Sequence, residues 1–309
     1  MTASVSTPAI DLHEVAKSYG KTVALEGLSL TVGRGELVGL LGPNGAGKTT
    51  TIKLLLGLVR PTAGSGQVLG APLGDRQARA AIGYLPELFR YQPWLHAREV
   101  LALHAELARV PTARRARAID DALALVGLVD RADDSVSAFS KGMQQRLGLG
   151  VALLGDPDLV LLDEPTSALD PVGRTDVRAI VRAARDRGAT VILNSHLLTE
   201  VERVCDRVII LDHGRIIASG SLDEVVASDG VRVRVTDVGD SGRAAAAAFG
   251  PVTLEGDWLS VRPLAAERIP DLVAALVATG GRVHAVEPGR GSLEARFLEL
   301  LAASGSADA

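Results

Sequence analysis

The sequence predicts an α/β protein with a helical segment inserted between its strands and a small α+β domain at its C-terminal end. Three observations lead there. From residue 9 to about 220, short apolar runs such as "ELVGLLG", "LVLLDE" and "TVILNSH" alternate with helical stretches, the pattern of parallel strands covered on both faces. From Ala97 to about Val136 the strand runs stop. There "AREVLALHAELARV" and "ARRARAIDDALALVGL", parted by Pro111, read as two amphipathic helices. After about Gly230 the hydrophobic period changes to two in "VRVRVTDV", a half-buried strand.

Taken in order, Glu36–Gly42, Leu159–Glu164 and Thr190–His196 are expected as buried strands, and Val172–Arg187 as a helix. Residues 1–228 form the larger domain, with the helical subdomain at about 90–155, and residues 229–309 the accessory one. In the latter, "SGRAAAAAFG" reads as helix, "WLSV" as strand, "AAERIPDLVAALVATGG" as helix and "RVHAV" as strand. With the first strand this gives the β-α-β-β-α-β order of a split βαβ fold. A last amphipathic helix, "SLEARFLELLAAS", places Leu293, Phe297 and Leu300 or Leu301 on one face, and the tail after Ala303 is expected to fray.

Composition bounds the function. The 309 residues are about two domains' worth, and 47% hydrophobic content supports a sizeable core. A net charge of −4 argues against a general nucleic-acid surface, which needs clustered Lys and Arg. The one cysteine, Cys205, excludes an internal disulfide and reads as a small buried apolar residue. Mean hydropathy is positive, yet "LGLGVALLG" and "DLVAALVATGG" fall short of the roughly 18 apolar residues of a spanning helix. "MTASVSTPAIDLHEV" has neither the basic start nor the apolar stretch of a signal peptide. A soluble, cytoplasmic chain is expected, and if it serves a membrane another chain does the spanning.

Three motifs carry chemistry. "LLGPNGAGKTT" fits G-x-x-x-x-G-K-[ST] at Gly42, Gly47, Lys48 and Thr49, between an apolar strand and a helical run. Its N–H groups would cradle a β-phosphate, Lys48 would neutralise β/γ oxygens and the Thr49 hydroxyl would ligate Mg²⁺. "LVLLDE" ends a buried strand in two acids: Asp163, placed for Mg²⁺ directly or through water, and Glu164, placed to polarise an attacking water. "TVILNSH" ends in His196, within reach of a γ-phosphate in that company. A further stretch, "AFSKGMQQR", turns from loop into helix at Ser140 and Gly142 and so offers N–H groups to a phosphate, but it has no Lys-Thr pair of its own.

Together these residues resemble the ATP-binding cassette (ABC) ATPases over residues 9 to about 225. "GPNGAGKTT" resembles Walker A, so Gly42, Pro43, Asn44, Gly45, Ala46, Gly47, Lys48, Thr49 and Thr50 are candidate nucleotide contacts. "LVLLDEP" resembles Walker B with its catalytic Glu164, "SALD" at Ser167–Asp170 the D-loop and "NSH" the switch histidine. Tyr19 resembles the aromatic that stacks on adenine. "FSKGMQQR" resembles the signature written LSGGQ, which in the family closes over nucleotide held by the other subunit's Walker A; Lys141 and Met143 depart from it. The Q-loop glutamine is Glu87, whose carboxylate still offers an oxygen to Mg²⁺ or water. The resemblance implies an α/β P-loop NTPase of ABC ATPase type that uses ATP and Mg²⁺.

One cassette followed by an extra domain, with "GYLPE" and "SKGM", is similar to the ATPase subunits of bacterial ABC-2 exporters. That implies a second ABC ATPase subunit, an identical copy being the first choice over a different one, a separate integral-membrane permease and a location on the inner face of the cell membrane. In the family the region after Glu87 receives the permease. Here it carries Phe89, Tyr91 and Trp94, which read equally as a docking groove or as anchors of the helical subdomain. Two other readings stand beside this one. A permease-free ABC ATPase acting on ribosomes or DNA lacks the second cassette or coiled coil it would need. A regulatory nucleotide-binding module would show little turnover.

Overall fold

The computed structural model describes residues 7–167, 169–226, 230–288 and 292–305. Two compact units divide the chain, Met1–Ser221 with Leu300–Ala309, and Leu222–Glu299. The first begins β1 (Ile10–Tyr19), β2 (Thr22–Val32), β3 (Leu37–Leu41), α1 (Lys48–Leu55), β4 (Ala63–Val68), β5 (Ala71–Pro72), α2 (Arg76–Ala80) and β6 (Ile82–Leu85). Next come α3 (Ala97–Leu107), α4 (Thr112–Leu125) and α5 (Lys141–Ala152), then β7 (Leu159–Asp163), α6 (Pro171–Asp186), β8 (Thr190–Asn194), α7 (Leu198–Val204), β9 (Arg207–Asp212) and β10 (Arg215–Ser221).

The six-stranded sheet runs β10-β9-β3-β8-β7-β6. All its neighbours are parallel except the β9–β10 hairpin. Every residue of β3, β7 and β8 is buried, as expected for central parallel strands with both faces covered. These strands are shorter than their apolar runs. β7 stops at Asp163 because Glu164 takes a left-handed backbone, φ 53°, which no strand continues. β8 stops at Asn194, leaving Ser195 and His196 in the loop. The parallel pattern did not signal a second sheet, antiparallel and ordered β2-β1-β4-β5. Leu12, Val15, Leu25, Leu28 and Val68 on its strands join Ile52 and Leu54 of α1 and Leu40 of β3 in one core.

α3, α4 and α5 pack on one another, burying Val100, Leu101, Ile119, Leu123, Leu147 and Leu149. The aromatic run before them divides. The Phe89 ring approaches Gly148 of α5 so closely that a Cβ there would lie 2.6 Å from Phe89 Cζ. Tyr91 stacks 5.4 Å from Phe89 and 5.6 Å, edge-on, from His104 of α3, and burial pushes its phenol pKa up. Trp94 is 72% exposed and Leu88 87%. Phe89 and Tyr91 therefore anchor the helical segment, while Trp94 and Leu88 face outward. In urea unfolding, Tyr91→Ala is expected to cost about 2–4 kcal/mol and Trp94→Ala under about 0.5 kcal/mol.

The second unit starts with α8 (Leu222–Val225) and continues β11 (Val231–Thr236), α9 (Asp240–Ala247), β12 (Val252–Glu255), β13 (Trp258–Val261), α10 (Ile269–Ala278), β14 (Arg282–Pro288) and the start of α11 (Leu293–Gly305), whose residues from Leu300 on belong to the first unit. Its antiparallel sheet runs β12-β13-β11-β14, the order a split βαβ unit takes when each crossover skips one strand. Val231, Val233 and Val235 of β11 are buried at period two with Leu259, Leu272, Leu276 and Ala246. Leu293 of α11 is buried, and Phe297, Leu300 and Leu301 are half-buried. The helix runs on through Gly305, and residues 306–309 lie outside the described residues. Cys205 is buried, its thiol pKa pushed up by desolvation.

Candidate functional site

Adjacent parallel strands deliver the candidate residues to one place, the C-terminal end of the sheet, where α/β proteins gather ligands. β3 feeds the turn Gly42–Gly47, β8 leads to His196, β7 ends in Asp163, and Glu87 follows β6 by two residues. The turn needs its glycines. Gly42 has φ 152°, and a Cβ there would sit 2.3 Å from the Leu211 carbonyl oxygen. Gly47 has φ 104°, and its Cβ would meet Leu25 and the Ala24 carbonyl at 2.6 and 2.7 Å. Both positions are closed to any side chain.

At the start of α1, no protein acceptor among the described residues faces the N–H groups of Gly45, Gly47, Lys48, Thr49 or Thr50. Such orphan donors, with the helix dipole behind them, suit an anion. Lys48 Nζ donates to the carbonyls of Gly42 at 2.6 Å and Pro43 at 2.9 Å, holding the cation over the turn. Burial lowers its pKa, while the nearby carboxylates of Glu164 and Asp163 pull the other way.

Asp163 and Glu164 are buried. Glu164 Oε1 accepts the His196 backbone N–H at 2.9 Å. His196 Nδ1 lies 2.7 Å from Glu164 Oε2, without the alignment of a hydrogen bond, so Oε2 is enclosed with no formal partner. The His196 side chain itself is 63% exposed. The pair thus meets directly, a buried acceptor beside an accessible imidazole.

The ABC transporter family model matches residues 25–167. An uncharacterized ABC transporter ATP-binding protein of Nostoc sp. is 42% identical over 287 residues, covering 91% of this chain and 84% of that one. The chain belongs to the ABC transporter ATP-binding family. It is an ATP-hydrolysing transporter subunit. Nod factor export ATP-binding protein I of a Rhizobium species is 42% identical over 219 residues, 70% of this ABC ATPase and 72% of that relative. A solved ATP-binding cassette in a dimeric post-hydrolysis state with ADP and Pi superposes with a TM-score of 0.61 at 25% identity, covering 69% of this chain and 98% of that one. The α/β fold expected from the sequence is therefore the fold of this family.

In this ABC ATPase the signature stretch stands apart from the turn just described. Ser140 caps α5, its Oγ accepting the Met143 N–H at 3.2 Å. The N–H groups of Lys141 and Gly142 face no protein acceptor among the described residues. Ser140, Lys141 and Gly142 line a cavity of 380 Å³ with Asp170, Gly173 and Asp176, and no residue of 42–50 borders it. Asp170 caps α6, accepting the Gly173 N–H at 2.7 Å. Ala168, within the D-loop stretch, lies outside the described residues.

Tyr19 is 44% exposed at the tip of the β1–β2 hairpin, with Lys17 Nζ 5.0 Å from its ring centroid. The same hairpin brings Ala24 and Leu25 against Gly47. Glu87 is exposed, and its proximity helps raise the Tyr84 pKa after burial and Asp163. One residue here escaped sequence reasoning. Asn194, 3% exposed, donates its amide Nδ2 to Asp163 Oδ1. Only the strand register, which sets Asp163 opposite Asn194, could have flagged it.

The residues fit the magnesium nucleotide that the family uses. The orphan N–H groups suit a polyphosphate. Among the described residues no cluster of three His, Cys, Asp or Glu side chains could hold a metal ion unaided. A hydroxyl at Thr49 and one carboxylate at Asp163 instead suit Mg²⁺, which keeps water and draws further ligands from phosphate.

Proposed function

We propose that this protein is the ATPase half of an exporter. Two identical chains face each other head to tail, and their closing and reopening drives a separate integral-membrane permease at the inner face of the cell membrane. One observation carries the paired arrangement. The free N–H groups of Lys141 and Gly142 and the capped Ser140 border a cavity with no Gly42–Thr50 residue in it, so within one chain they have no phosphate to hold. A second copy supplies one. The outward direction is supported by the Rhizobium relative named for Nod factor export. No helix among the described residues is long and apolar enough to cross a membrane.

Mg²⁺·ATP supplies the γ-phosphoryl group and the metal charge that spreads the negative charge of transfer. The chain supplies position. N–H groups of Gly45 and of Gly47 to Thr50 hold the phosphates, Lys48 turns from its carbonyls to them, and Tyr19 stacks on the base. Thr49 and Asp163 serve the metal, and Glu87 offers it or its water a further oxygen. Glu164 accepts a proton from the attacking water, and His196 orients Glu164 and meets the γ-phosphate. Positioning and charge neutralisation are what phosphoryl transfer most requires.

Gly142 gives the discriminating test. A Cβ there meets nothing closer than 3.9 Å within one chain, so Gly142→Val has room in the isolated subunit. Unfolding free energy is expected to stay within about 1 kcal/mol, since a helical glycine is replaced. ATP-driven dimerisation, read by sedimentation, and turnover should both be lost. Full ATPase activity in strictly monomeric material would remove the paired site.

A further inference from the structure

The polar residue that closes β8 opens the "NSH" stretch but was given no role of its own there. Asn194 lies between two functional strands. Leu40 of β3, two residues before the phosphate-binding turn, is its partner on one side, and Asp163 of β7 on the other. A carboxylate only accepts hydrogen bonds, so the amide must turn its Nδ2 to Asp163 Oδ1, as it does. Two consequences follow. Oδ1 of Asp163 is occupied, while no side-chain hydrogen bond among the described residues goes to Oδ2. And the Asn194 Oδ1, on the opposite fork of the amide, is buried with no donor. A native interior seldom leaves such an oxygen unpaired unless water or a ligand completes it.

We propose that Asn194 is a positioning residue for the metal: it holds one oxygen of Asp163, leaves the other to serve the ion's hydration shell, and offers its own orphan oxygen to a water of that shell. The inference deepens the reading of Asp163 given above and depends on it. Outer residues that orient a metal-binding carboxylate set affinity without touching the ion. A leucine or serine at this position would free the Asp163 carboxylate to rotate.

The experiment measures Mn²⁺ binding to the full chain by electron paramagnetic resonance with a non-hydrolysable ATP analogue present. Nucleotide affinity is measured in parallel in EDTA. Asn194→Leu is expected to weaken Mn²⁺ by about 10–100-fold while analogue affinity in EDTA changes by less than about twofold. Asn194→Ser, polar but too short to reach Asp163, should show the same split and decides the matter if the leucine variant does not fold. Asp163→Ala is the control and should lose at least as much. If that control binds Mn²⁺ normally, the assignment of Asp163 falls and this one with it. If the control loses Mn²⁺ while the folded serine variant keeps it, Asp163 stands and the positioning role of Asn194 is overturned. Equal losses with and without metal would make Asn194 merely structural, which also overturns it.

Discussion

Glu164→Gln lowers ATP turnover by about 10²–10⁴-fold, the usual worth of a positioned general base, or about 3–5 kcal/mol of barrier. The substitution is close to a pure removal of basicity. Glutamine keeps the carbonyl oxygen that accepts the His196 N–H at 2.9 Å, so the loop from Glu164 to His196 retains its closure. What is lost is the negative charge and with it the basicity of Oε2, which has no aligned protein donor although His196 Nδ1 lies 2.7 Å away. The φ of 53° at Glu164 is a cost that a non-glycine residue bears only where its surroundings impose it. Here the Glu164 N–H is tied to the Asn194 carbonyl at 2.9 Å, while Ser167 Oγ donates to the Glu164 carbonyl at 3.2 Å. Nucleotide binding rests on other residues and should persist, so the variant should accumulate as an ATP-bound dimer. Phosphate-release kinetics beside equilibrium binding separate these two effects. Near-normal hydrolysis would take Glu164 out of the reaction.

What the sequence made legible follows from what each feature depends on. β3, β7 and β8 could be read because burial on both faces leaves a local apolar run, and the phosphate turn because its backbone angles demand glycine at fixed spacing. Strand ends were overestimated at Glu164 and His196, where chemistry takes over from pairing and the backbone leaves the sheet. The β2-β1-β4-β5 sheet escaped because strands such as "AGSGQV" at Ala63–Val68 carry almost no apolar signal; pairing with β1 makes them strands. The aromatic run could not be resolved in sequence, since Tyr91 and Trp94 differ only in what packs on them. Asn194 was invisible for the same reason: its meaning lies in the register with Asp163, thirty-one residues away in the chain.

Breaking the ion pair between Arg178 of α6 and Glu200 of α7 should destabilise the fold by about 3–5 kcal/mol, because one partner removed strands the other's charge in the interior. Arg178 Nη1 donates to both Glu200 oxygens, at 2.9 and 2.7 Å, and its Nη2 to Thr175 Oγ1 at 2.7 Å. The side chains are only 15% and 7% exposed. The contrast is Arg117–Asp121 on α4, exposed at 87% and 58%, where removing either partner should change stability by less than about 1 kcal/mol. Glu200→Leu should therefore unfold at far lower urea than Arg117→Ala. The double variant Arg178→Met/Glu200→Leu should recover most of the loss, because an apolar pair of similar volume needs no compensating charge. The location gives the pair a second consequence. α6 is capped by Asp170, which borders the signature cavity, and α7 begins two residues after His196. The pair therefore clasps the helix that follows the D-loop stretch to the helix that follows His196. A double-mutant cycle that found no coupling between Arg178 and Glu200 would reduce it to two independent charges and remove that clasp.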